Sequence, residues 1–251
     1  MIISVTNQKG GVGKTTTAIN LSAGLALKGK KTLLLDLDPQ GNATSGLNIE
    51  KDNMGIYDVI IDNEDINSVI MDTQVQNLKI IPSNIDLSGA TVEMVALKDR
   101  ESLLKNALNK VKNEFDFIII DCPPSLDLLT VNAFTASDKV LVPIQCEFYA
   151  LEGLGQLMNT VKLIKMRLNP ELDIDGVVCT MYDSRTNLSQ QVVDEVKKYF
   201  AKKVYNTFIP RNVRLAEAPS FGEPIQIFDG YCQGALAYKN LCEEFIERNQ
   251  G

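Results

Sequence analysis

The stretch QKGGVGKTT, residues 8–16, holds the most chemically explicit residues of this chain. Gly13, Lys14 and Thr15 close the phosphate-loop pattern G-x-x-x-x-G-K-[ST], but Gln8 stands where the first glycine belongs, and a second lysine, Lys9, follows it. In such a loop Gly10, Gly11 and Gly13 leave the backbone N–H groups free to converge on phosphate oxygens. The helix N-terminus that follows adds its dipole. Lys14 is placed to reach β- and γ-phosphates, and the Thr15 hydroxyl to bind Mg²⁺. The expected nucleotide contacts of the loop itself are Gly10, Gly11, Val12, Gly13, Lys14, Thr15 and Thr16.

Two aspartates fit the rest of a nucleotide hydrolase. Asp121 closes the apolar run FIII, and Asp38 closes TLLLDLD. Both therefore belong at the carboxyl ends of strands, where ligands bind in open α/β sheets. Asp121 is expected to hold Mg²⁺ through water. Asp38 either orients the attacking water or touches the metal shell. Asp36 shares the face of Asp38 and fits a supporting role or a buried hydrogen bond equally well.

Composition narrows the chemistry further. The 251 residues contain no histidine, which leaves proton handling to carboxylates, lysines or water and makes a zinc site improbable. Five cysteines are scattered without a C-x-x-C pair, as expected of free interior thiols. With 45% apolar and 23% charged residues, the chain matches a soluble globular protein able to bury a full core. The longest apolar runs are strand-sized, and the N-terminus passes straight into IISV, so a mature cytoplasmic protein with no membrane insertion is expected. Net charge is −7. Between Arg185 and Arg214, however, seven bases (Arg185, Lys197, Lys198, Lys202, Lys203, Arg211, Arg214) face only two acids, Asp194 and Glu195.

The elements that must position these residues follow from periodicity. Short β-branched runs alternate with longer amphipathic stretches, the pattern of a parallel sheet with crossover helices. Strands are expected at IISVTN, KTLLLDLD, NLKIIPS, FDFIIIDCPP, KVLVPIQC, IDGVVCTMY and KVYNTFIP. Helices are expected over Lys14–Leu27, 99–112, LDLLTVNAFTA, Ala150 to Arg167, LSQQVVDEVKKYF and 234–248, with a variable stretch rich in Asp and Asn over roughly 48–75. No repeat or linker divides the chain. The expectation is one α/β domain over residues 1–251, a doubly wound, mostly parallel sheet flanked by helices.

KGGVGKTT with Lys9, DLDPQGNATSGL and DCPPSL together resemble the deviant-Walker ATPases, in their ParA/Soj chromosome- and plasmid-partitioning branch. YALEG, TMYDSRTN and IPRNVRLAEAPSFG extend the resemblance over nearly the whole chain. The resemblance implies ATP and Mg²⁺ as ligands and a nucleotide-sandwich homodimer formed on ATP binding. In that dimer Lys9 is the signature lysine that reaches the other subunit's phosphates, as an arginine finger does. It makes Asp38 the residue needed for hydrolysis, and the glycine and asparagine after it part of a γ-phosphate-sensing switch. It places adenine near Pro210 and Asn212, with Met181 lining the same pocket. It implies non-specific DNA binding through Arg185 and Arg214, and stimulation by a ParB-type partner. The basic stretch gives the DNA expectation a physical footing, since cations release counterions from the phosphate backbone. Its four lysines fit a merely solvated helix face as well. With seven residues ahead of Gln8, no helix-turn-helix for operator binding is expected there.

Three other functions share parts of this pattern. A MinD-like membrane ATPase needs a basic amphipathic C-terminal helix, but Glu243, Glu244 and Glu247 outweigh Lys239 and Arg248 there. An iron–sulfur reductase needs cluster cysteines, and Cys122 and Cys146 lie in no such pattern. A non-enzymatic nucleotide-dependent scaffold would not need Asp38.

Overall fold

The computed structural model describes residues 1–148 and 153–250. Most of the YALEG motif, residues 149–152, and the expected start of a helix at Ala150 lie outside the described residues. Among the described residues, seven strands form one sheet: β1 Ile2–Val5, β2 Thr32–Asp36, β3 Met71–Asp72, β4 Leu78–Ile81, β5 Phe117–Asp121, β6 Lys139–Gln145 and β7 Asp173–Thr180. Their order is β3-β4-β2-β5-β1-β6-β7, parallel throughout except for the antiparallel edge pair of β3 with β4. This is the expected doubly wound sheet, and β1 at its centre feeds the phosphate loop.

The central strands are apolar on both faces because helices cover both. Ile3, Val5, Leu34 and Ile119 join the core beneath the helices Lys14–Leu27 and Gln233–Gln250. Leu33, Leu35, Ile118 and Ile120 join the opposite core, under helices that include Leu128–Ala136, Leu154–Arg167 and Asn187–Phe200. Side chains alternate along a strand. Asp36 therefore follows Leu34, and Asp121 follows Ile119, onto the face of the helix that starts at Lys14.

Several expectations shift in detail. The expected helix over 99–112 reduces to Leu103–Leu108, where the Asn132 carboxamide oxygen accepts from Leu104 N and fixes the start. The expected strand KVYNTFIP is not a strand. It touches β7 at one isolated bridge, Val177 with Val204, and at two single backbone bonds, from Tyr205 N to Val177 O and from Ile209 N to Cys179 O, because the Glu244 carboxylate takes the N–H groups of Asn206 and Thr207 between them. The variable stretch contains a short helix, Ile56–Ile60, and a 3₁₀ turn, Ile66–Val69.

Candidate nucleotide site

The phosphate loop lies between β1 and the helix Lys14–Leu27. Gly11 and Gly13 have φ of 75° and 88°, left-handed values that a side chain would strain. They turn the chain so that the helix starts with its N–H groups facing the loop. Its N-cap residue, Gly13, has no side chain to cap it, which leaves its first donors open to an anion. The Thr180 hydroxyl donates to Val12 O at 2.8 Å and ties the loop to the end of β7.

Register brings the carboxylates together. Asp121 is the Cα partner of Val5 on one side and of Asp36 on the other, so all three end their strands at one level. Asp121 is fully buried, and among the described residues neither carboxylate oxygen has a hydrogen bond of regular geometry. Burial raises its pKa well above the usual carboxylate range, and the charge of Asp36 adds to this. The neighbouring Thr15 side chain and the Lys14 ammonium oppose the rise. Lys14 is itself buried, which lowers its pKa against the pull of Asp121 and Asp38, and its ammonium donates to Lys9 O at 3.1 Å.

Asp36 is a hydrogen-bonded support. Its Oδ2 accepts from Thr44 N at 2.8 Å and Thr44 Oγ1 at 2.7 Å, and its Oδ1 from Asp38 N at 3.2 Å. Burial still pushes its pKa up to about 6. Asp38 is buried beside it, and its Oδ1 accepts from Gln40 N at 2.9 Å. The carboxylate thus has one oxygen engaged in the turn and one left for other work.

Lys9 does not turn into its own loop. It is half-buried, and its ammonium lies 3.9 Å from the Glu147 carboxylate. Met181, Pro210 and Asn212 do meet. With Gly13, Thr16 and others they line a cavity of about 400 Å³ beside the loop. Met181 has φ of 50°, and Tyr182 N donates to Ile209 O, which brings the end of β7 against IPRN. Thr180, Leu215 and Tyr238 also line this cavity, and sequence reasoning missed all three. Tyr238 sits on the last helix with its hydroxyl 3.1 Å from Thr17 Oγ1, and no sequence pattern links it to the loop.

The two arginines differ. Arg185 is largely exposed and, among the described residues, held by Asp183 through Nε at 2.9 Å and Nη2 at 2.7 Å. Those bonds hold the Asp183 pKa down at about 2. Arg214 is held by Glu217 at 2.7 Å and Asp229 at 2.9 Å, and its guanidinium lies 4.4 Å from the Phe228 ring centroid. Of the four lysines between them, Lys198 pairs with Glu195 and Lys203 with Asp173.

A family model described as an AAA domain matches residues 1–174. The chain is 58% identical over 245 residues to the sporulation initiation inhibitor protein Soj of Bacillus subtilis, covering 97% of each chain. It is 55% identical over 243 residues to the chromosome-partitioning ATPase Soj of Treponema pallidum, covering 97% of this chain and 96% of that protein. The chain belongs to the ParA/Soj family of chromosome-partitioning ATPases. Solved structures place this ParA/Soj fold beside nucleotide-bound relatives. A cobyrinic acid a,c-diamide synthase from Mycobacterium smegmatis with bound ADP and magnesium matches with a TM-score of 0.85 and 36% identity, over 96% of this chain and 92% of that one. A putative plasmid partition protein from Borrelia burgdorferi bound to AMPPNP matches with a TM-score of 0.85 and 28% identity, over 98% of each.

Proposed function

We propose that this ParA/Soj chain binds ATP and Mg²⁺ at the phosphate loop and closes as a homodimer around the nucleotide. In that state it holds DNA without sequence preference, and hydrolysis stimulated by a ParB-type partner releases it. The observation that carries the reading is Asp121, a fully buried carboxylate with no hydrogen bond of regular geometry among the described residues, beside Thr15 and Lys14 at the loop. A buried carboxylate in that condition is costly unless a cation completes it.

The donor set suits Mg²⁺. Thr15 and Asp121 would hold it, and it would neutralise charge on the β- and γ-phosphates. Among the described residues no three His, Cys, Asp or Glu side chains converge on a point. Magnesium characteristically takes its remaining ligands from phosphate and water. Lys14, whose ammonium rests on Lys9 O, is close enough to the loop to transfer that bond to a phosphate oxygen. Asp38, with one oxygen tied to Gln40 N, has the other free to orient a water.

Lys9 pairs with Glu147 rather than with an aspartate of its own site among the described residues, which leaves it available to a neighbouring subunit's phosphates. Its exposed pairing with Glu147 is the kind worth about 0–1 kcal/mol, so it is easily exchanged. Arg185 pairs with Asp183 at the solvent-exposed surface, which leaves it able to trade its carboxylate for a DNA phosphate. Arg214, between two carboxylates and over an aromatic ring, has more to give up. DNA binding would place the protein on the nucleoid in the cytoplasm, and among the described residues no helix is long and apolar enough to cross a membrane.

The MinD-like alternative is disfavoured by packing. On the C-terminal helix Tyr238, Leu241, Cys242 and Phe245 are buried in the core. That apolar face is occupied within the fold, and Glu243 and Glu244 are bonded to Lys28 and Arg248. The test is phosphate release and DNA retention together. The intact chain should retain DNA only with Mg²⁺ and ATP, and Asp38→Ala should retain it while losing turnover. Unchanged turnover in Asp38→Ala would favour the scaffold reading.

A further inference from the structure

Gly41 joins the turn that begins at Asp38 to the helix Asn42–Ser45. The peptide group it shares with Gln40 is held at both ends. The Gly41 N–H donates to Asp38 O at 2.8 Å and closes a four-residue turn, while the Gln40 carbonyl accepts from the Lys51 ammonium. The peptide before it carries the Gln40 N–H, which donates to Asp38 Oδ1 at 2.9 Å. The orientation of the Asp38 carboxylate thus depends on two successive peptide planes, and Lys51 holds the second.

Glycine makes that hold matter. Gly41 has φ of 59°, and a glycine beside a peptide group lets the group rotate with little steric resistance. With the Gln40–Gly41 peptide turned over, the Gly41 N–H would leave Asp38 O and the turn would open. The lysine stem packs on the same residue. A Cβ at Gly41 would lie 3.0 Å from Lys51 Cε and 3.1 Å from Ser83 O, so the stem and that carbonyl close directly over the glycine.

Local folding brings Lys51 to this place. Leu47 N and Ile49 N both donate to Thr44 O, at 3.2 and 3.1 Å, and Asn48 between them has φ of 58°. The chain therefore doubles back on the helix Asn42–Ser45. Leu47 is buried, and Ile49 packs against the same core. Lys51 follows two residues later, half-buried, with its ammonium at the Gln40 carbonyl.

We infer that Lys51 is a positioning residue for ATP hydrolysis. It acts through the Gln40–Gly41 peptide, holding the Asp38 turn closed so that the free Asp38 oxygen keeps its place in the site. The inference rests on the role proposed above for Asp38. A charge-assisted bond to the carbonyl is stronger than a neutral one, and turnover scales with the fraction of chains in the competent arrangement.

The test compares two variants of the full chain in Mg²⁺ and ATP. Lys51→Met keeps the stem and loses the donor, and Lys51→Arg keeps a cationic donor. In Lys51→Met, kcat should fall about tenfold with KM unchanged, because the bond orients Asp38 and does not hold the nucleotide. Exchange of the Gly41 amide proton, followed by NMR, should quicken about tenfold as the turn opens more often. Lys51→Arg should bring both back to within about threefold of the parent. A charge-loss control, Lys110→Met, removes an exposed lysine beyond the helix Leu103–Leu108 and should change neither. Unchanged kcat in Lys51→Met, a raised KM at constant kcat, a Gly41 amide that exchanges at the parent's rate, or an arginine variant as slow as the methionine variant overturns the inference. Asp38→Ala, run alongside, tests the reading beneath it. Parent-level turnover there overturns the role of Asp38 itself, whereas lost turnover there with full turnover in Lys51→Met overturns the role of Lys51 alone.

Discussion

Replacing Asp121 by Asn should stabilise the nucleotide-free protein and weaken its response to Mg²⁺ and ATP. The carboxylate is fully buried without a regular hydrogen bond, and Asp36 and Asp38 add like charge that Lys14 only partly offsets. A buried unsatisfied polar group costs about 1–3 kcal/mol, more when charged. A neutral isostere should therefore add on the order of 2 kcal/mol, or roughly 4–8 °C in Tm for a domain of this size. The sign with pH follows from linkage. A carboxyl whose native pKa is raised binds more protons in the native than in the unfolded state. Its burden is absent below the unfolded pKa of about 3.9 and grows as pH rises toward the native value. For Asp36 that window runs from the unfolded value up to about 6, and for Asp121 it extends higher. Thermal scans of parent and Asp121→Asn in EDTA between pH 5 and pH 8 should therefore diverge as pH increases. A ligand at one hundred times its Kd stabilises by about 2.7 kcal/mol, and the variant should lose much of that gain when Mg²⁺ and ATP are added. A variant less stable than the parent in EDTA at pH 8, or one that gains as much from Mg²⁺ and ATP, would refute the argument.

Thr44→Val removes the hydroxyl that holds the Asp36 pKa down and accepts from Ser83. It should cost about 1–3 kcal/mol and steepen the loss of stability with rising pH, measurable by the same scans. Ala216 lines the cavity beside the loop and is exposed at its mouth, so Ala216→Trp should fill it. ATP affinity should fall about tenfold, as for any lost well-packed base contact worth about 1.4 kcal/mol, while calorimetry shows tripolyphosphate binding unchanged. Arg185→Ala should weaken binding to unrelated DNA duplexes more than Arg214→Ala does, and should make the salt dependence shallower by about one unit of slope. Equal losses would mean that the two carboxylates on Arg214 do not restrain it.

The phosphate loop, the strand-end aspartates and the parallel sheet were legible in the chain because each is a local pattern: glycine spacing, an apolar run closed by a carboxylate, alternating periods. The division of labour between Asp36 and Asp38 was not, because it depends on Thr44 folding back onto Asp36. The helix Leu87–Glu93 was missed because its buried stripe is short and its exposed side carries Val92, with exposed Ile85 just before it and Val95 just after, which blurs the period. KVYNTFIP reads as a strand by composition, but Glu244 on the last helix captures two of its donors and breaks the ladder. The cavity beside the loop takes Thr180, Leu215 and Tyr238 from three separate elements, a convergence that exists only in three dimensions.

The central claim is that Lys9 completes a neighbouring subunit's nucleotide site, and mass by light scattering in Mg²⁺ and ATP tests it most directly. Asp38→Ala should sit at twice the 27.7 kDa of a single chain, held by ATP it cannot hydrolyse. Asp38→Ala combined with Lys9→Ala should bind ATP equally well by filter retention yet remain at the mass of one chain. A dimer that persists without Lys9, or a single-chain mass for Asp38→Ala alone, would contradict the account.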